Sequence, residues 1–96
     1  MYCKEAVTMI TVIGIHDVDD VARWLKSPKR AEFFAAHGMT VKKTFVSPDG
    51  KKRVGVLIED VPSLDALVEA LQGADAAAAM KHDGVHADTV EFFVAS

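Results

Sequence analysis

Ninety-six residues, half of them hydrophobic and 26% charged, fit one domain with a single core. A net charge of -3 gives no general attraction to phosphate backbones or anionic lipid, so neither nucleic acid nor a membrane is an expected partner. The single cysteine, Cys3, excludes an internal disulfide framework and reads as an incidental thiol near a frayed terminus.

The chain opens on a β-branched, nearly all-apolar run from Val7 to Ile15, which suits a central strand covered on both faces. That run is too short to span a membrane and lacks a small-residue cleavage site, so no signal peptide is expected and the compartment reads as the cytoplasm. Asp17, Asp19 and Asp20 then offer capping oxygens and negative charge at a helix start. Val18, Val21, Trp24 and Leu25 follow at helical spacing. Ser27 and Pro28 break this helix and start a second piece, which carries Phe33 and Phe34 and ends at Gly38.

A strand is expected from Met39 to Val46, a turn at Ser47-Pro48-Asp49-Gly50, and a strand from Arg53 to Glu59. Lys42, Lys43, Lys51, Lys52 and Arg53 flank this hairpin without an aromatic platform, the pattern of a solvated edge. Ser63 leads into Leu64, Leu67, Val68 and Leu71, an amphipathic helix closed by Gly73. An alanine-rich piece from Ala74 to Lys81 ends near Gly84, and Ala87 to Val94 makes the last strand.

The order is β-α-β-β-α-β, and the halves repeat each other as helix, break, helix, glycine, strand. A split βαβ unit used twice is the α+β, ferredoxin-like arrangement, a four-stranded antiparallel sheet with helices on one face, here in one domain over residues 1–96. Right-handed crossovers give the strand order 4-1-3-2. His16, His82 and His86 then gather at one end of the sheet with Asp17, Asp83 and Asp88, while His37 lies at the other.

These three histidines are the candidate acid–base groups, since imidazole titrates near neutral pH. No helical H-x-x-x-H pair fixes two metal ligands, so no metal and no cofactor is expected. The alternative account makes them surface side chains. Trp24, Phe34 and Phe93 are the candidate ligand-binding aromatics; Trp24 also fits the core, and one of Phe33 and Phe34 is expected to cover a cleft between helix and sheet.

Alternation places Val41, Phe45, Val54, Val56, Ile58, Val90, Phe92 and Val94 under the helices. The opposite face is expected to carry Ile10, Val12, Val46, Leu57 and Phe93 among Lys42, Thr44, Glu59 and Glu91. So apolar a face is an interface or a ligand site, and two sheets packed across a two-fold axis would cover it. A C-terminal arm or a tolerated exposed patch is the alternative.

The segments DVDDVARWLKSPKRAEFFAAHGM, SPDGKKRVGVLIED and LVEALQGADAAAAMKHDGV, with the final TVEFFVAS, resemble the dimeric α/β-barrel superfamily over Met9 to Ala95. The resemblance lies in hydrophobic spacing. It implies a homodimer whose two sheets form a barrel. Within the superfamily the chain looks most like small members similar to the antibiotic-biosynthesis monooxygenases in architecture. None of the superfamily's catalytic sets transfers, since the chain has no asparagine for a haem-degrading Asn-Trp-His set. Fold alone does not supply function. Two readings follow: a protein that binds, or acts without cofactor on, a small apolar or aromatic molecule, and a non-catalytic regulatory or interaction module built around the dimer interface.

Overall fold

The computed structural model describes residues 8–96, so the readings of Cys3 and Val7 lie outside the described residues. The elements are β1 (Ile10–Val18), α1 (Val21–Lys26), α2 (Lys29–Ala36), β2 (Thr40–Val46), β3 (Arg53–Val61), α3 (Leu64–Leu71), α4 (Ala74–Asp83) and β4 (Val85–Val94). The strands pair in the order β2-β3-β1-β4, antiparallel throughout, which is the expected ferredoxin-like topology.

Local chemistry sets the helix ends. The Asp20 carboxylate accepts from Arg23 N–H at 3.0 Å and starts α1, while Ser63 Oγ accepts from Ala66 N–H at 3.0 Å and starts α3. Ser27 Oγ accepts from Lys29 N–H at 3.1 Å where the break between α1 and α2 was expected. Gly84, at φ 71°, closes α4 in the left-handed conformation and turns the chain directly into β4.

β3 runs on to Val61 and β4 begins at Val85, each two residues beyond the sequence reading, and the sheet differs from that reading more deeply in three further places. First, β1 runs on to Val18 rather than stopping at Ile15, so Val18 is a fully buried strand residue and the first helix begins at Val21. Second, burial along β1 alternates so that Val12, Gly14, His16 and Val18 face the helices. Val12 therefore belongs to the core, and Ile10 packs against it, whereas both were expected on the outer face. Both faces of β1 are apolar, and alternation alone does not choose between them.

Third, a register shift between Val41 and Lys43 moves the rest of β2 across the sheet. Thr44 now opposes buried Val56, and Val46 opposes buried Val54. Phe45 opposes Gly55 and stands, 39% exposed, on the outer face that was expected to carry Thr44 and Val46. One extra residue is enough to exchange the two faces.

The core joins Val12, Val18, Trp24, Phe33, Phe34, Met39, Val54, Val56, Ile58, Val61, Leu67 and Ala76 between sheet and helices. The outer face carries a row in which Ile13 of β1 lies between Leu57 of β3 and Phe93 of β4. Nearer His16's end, Arg53 donates to Asp17 at 2.8 Å and to Glu91 at 2.5 Å, forming a charged border to that row.

Candidate functional site

A small cavity of about 70 Å³, partly open to solvent, lies between the helical layer and the end of the sheet where β1 finishes. Strand alternation supplies its floor, with His16 from β1, Val56 from β3 and Val85 from β4. α1 contributes Trp24, and α2 contributes Arg30, Phe33 and Phe34, spaced three and four apart on one helix face. α4 contributes Ala76, Ala79, Met80 and Asp83 at the same helical spacing, the two alanines leaving room that larger side chains would fill.

His16 is 7% exposed, and its ring meets Trp24 edge-on with centroids 5.7 Å apart. Burial lowers its pKa from the ordinary 6.5, the nearby charges of Arg30 and Arg53 add to this, and the Asp17 carbonyl opposes it. The imidazole is therefore neutral at neutral pH and able either to give or to take a hydrogen bond.

Arg30 stacks its guanidinium 3.8 Å from the Trp24 ring centroid and donates through Nη1 to the Trp24 carbonyl at 3.1 Å. Its Nε is buried without a hydrogen-bond partner. Asp83 is 3% exposed, and its Oδ1 accepts from His82 Nδ1 at 2.8 Å. A buried base, a cation, a carboxylate and three aromatic rings thus surround one space.

Of the six candidates read from the sequence, His16, Trp24 and Phe34 line this cavity. His82 stands outside it, half-exposed, and touches it only through Asp83. His86 lies opposite Asp17 in the sheet register and donates through Nε2 to Asp19 Oδ1 at 2.5 Å on the surface. Phe93 is on the outer sheet face, 57% exposed. The three histidines share an end of the sheet, but only His16 turns inward. Sequence reasoning missed Arg30, whose signal was its spacing from Phe33 and Phe34, and the small residues Ala76 and Ala79. Among the described residues no three His, Cys, Asp or Glu side chains group as metal ligands would.

His16 and His86 are shifted in opposite directions, and the signs fix a pH profile. His86 is raised above 6.5, chiefly by its hydrogen bond to Asp19, so its contribution to stability is complete below 6.5 and disappears as pH rises through the folded value. His16 is lowered, so the folded state loses stability as pH falls from 6.5 through its folded value. Stability from these two groups peaks near pH 6.5. Urea titrations across pH 4 to 9 should show His16→Gln flattening the acid side and His86→Gln the alkaline side. The account fails if either substitution flattens the other's side.

No protein-family model matches the chain, and no curated protein matches it. Solved structures do. An antibiotic biosynthesis monooxygenase aligns with a TM-score of 0.54 and 13% identity, over 91% of this chain and 96% of that one. A provisional antibiotic biosynthesis monooxygenase from Caulobacter crescentus aligns with a TM-score of 0.57 and 20% identity, over 92% of this chain and 90% of that one. At these identities the likeness is one of fold: the chain has the ferredoxin-like architecture that those proteins share.

Proposed function

We propose that this is a cytoplasmic homodimeric protein that binds a small apolar or aromatic molecule in the cavity walled by Trp24, Phe33, Phe34 and His16. The observation that carries this reading is the placing of a buried imidazole, with Arg30 and Asp83, on the wall of a mainly apolar space, at the end of the sheet where topology gathers polar groups. Apolar walls with a few convergent polar groups are what small-molecule sites consist of. The neutral His16 would orient the ligand, and in a catalytic version of the site it would exchange a proton with it. The dimer part of the reading draws on the outer sheet face, where Ile13, Leu57 and Phe93 form a continuous apolar row.

A thermal-shift screen against small aromatic compounds tests the ligand reading. A compound at about 100 times its Kd adds about 2.7 kcal/mol and raises the midpoint by several degrees. The hits should vanish in Ala79→Phe, whose new ring fills the cavity. Silence across the screen, or hits that survive Ala79→Phe, would sink the reading and favour an interaction module built on the sheet face.

A further inference from the structure

We propose that the cavity selects an electrically neutral, planar aromatic molecule carrying a hydrogen-bond acceptor beside a donor, the pattern of a primary aromatic amide, over the matching carboxylate or ammonium compound. This rests on the cavity being a ligand site, and it names the chemistry that site recognises.

Two opposite formal charges line the space. The guanidinium of Arg30 has one donor engaged with the Trp24 carbonyl at 3.1 Å, while its Nε is buried with no partner. The carboxylate of Asp83 spends Oδ1 on His82 at 2.8 Å, which leaves Oδ2 for a ligand donor. Asp83 acts on Arg30 through space, as a charge, without a hydrogen bond between them. Nε is enclosed, so the donor a ligand would meet is Nη2, for which no hydrogen bond is formed among the described residues, and the acceptor is Asp83 Oδ2. His16, on the same wall, is held neutral by burial and adds no third charge.

The balance of charge decides the ligand. A carboxylate brought here gains Arg30 but adds an unmatched negative charge beside Asp83. An ammonium gains Asp83 and repels Arg30. Burying an unbalanced charge costs more than the hydrogen bonds return. An amide brings no net charge, its carbonyl oxygen accepts from Arg30, and its N–H donates to Asp83. Its ring then lies among Phe33, Phe34 and Met80. The space of about 70 Å³ is smaller than the cavity of about 150 Å³ that holds benzene in a dry core, so the ring lies partly in the open mouth.

Trp24 is the only tryptophan, so its fluorescence reports the cavity directly. The intact protein would be titrated near neutral pH with benzamide, benzoate, benzylamine and toluene. Benzamide should bind at least about ten-fold more tightly than each of the others, one matched pair of hydrogen bonds being worth about that factor. In Asp83→Asn the preference should pass to benzoate, and in Arg30→Gln to benzylamine, because each variant leaves one charge uncompensated. If either variant fails to fold, the wild-type ranking decides alone. Benzoate or benzylamine binding best to the wild type overturns the charge argument, and toluene matching benzamide overturns the hydrogen-bond argument. In both cases the cavity remains a ligand site. Failure of all four to bind, with the thermal-shift screen also silent, removes the site itself.

Discussion

Trp24→Ala should lower unfolding stability by about 3–5 kcal/mol, a large part of the 5–15 kcal/mol or so that a domain of this size possesses. Trp24 is 1% exposed and is among the largest fully buried side chains. Its removal leaves a hole that the surrounding strands and helices fill only in part. It also strips Arg30 of its stacking surface and His16 of its edge contact, so two polar groups lose the packing that holds them. Urea denaturation followed by far-UV circular dichroism measures the effect. Leu25→Ala is the control: Leu25, beside Trp24 on the same helix, is 45% exposed, and its truncation should cost no more than about 0.5 kcal/mol. Equal losses at the two positions would mean that α1 does not present Trp24 to the core.

The second large effect concerns assembly. The wild type should run at twice its 10.4 kDa chain mass in light scattering at micromolar concentration, and Ile13→Glu should run at the chain mass while keeping its circular dichroism. Ile13 sits in the middle of the outer row, between Leu57 and Phe93, and belongs to no part of the core. A glutamate there leaves the fold intact and brings two like charges together where the proposed sheets would meet out of water. A monomeric wild type, or an Ile13→Glu variant that stays dimeric, contradicts the sheet-to-sheet interface.

Element order was readable from the sequence because turn and cap residues carry their own chemistry. Asp20, Ser27, Ser63 and Gly84 each sit at an element boundary for a local reason, and the internal repeat then ties the elements to one topology. The faces of the sheet were less readable. β1 is apolar on both sides, so nothing in its own sequence says that Val12 and His16 turn inward and Ile13 turns outward. In β2 the register shift after Val41 depends on pairing with β3, a contact that no local pattern encodes.

The site was legible to the same degree. Topology brought the polar groups to one end of the sheet, which located the region. Within that region a histidine's role depends on which side of the strand or helix it occupies. His16 follows the inward alternation of β1, whereas His82 and His86 flank the turn at Gly84 and meet Asp83 and Asp19 instead. Arg30 was harder to find: its spacing from Phe33 and Phe34 puts it on their helix face, but a long cationic side chain usually reaches solvent, and nothing local says that it will lie on a buried ring.

The central claim is that the cavity beneath α1, α2 and α4 holds a small aromatic molecule. Its most direct measurement is a nuclear magnetic resonance titration of the isotope-labelled protein with benzamide, observing the Trp24 indole N–H, the His16 ring and the Met80 methyl. The account predicts saturable shifts at all three, with His86 and Phe93 unmoved. Shifts confined to Phe93 and the outer sheet face, or no shift at any of the three cavity groups with benzamide, benzoate, benzylamine or toluene, would contradict it.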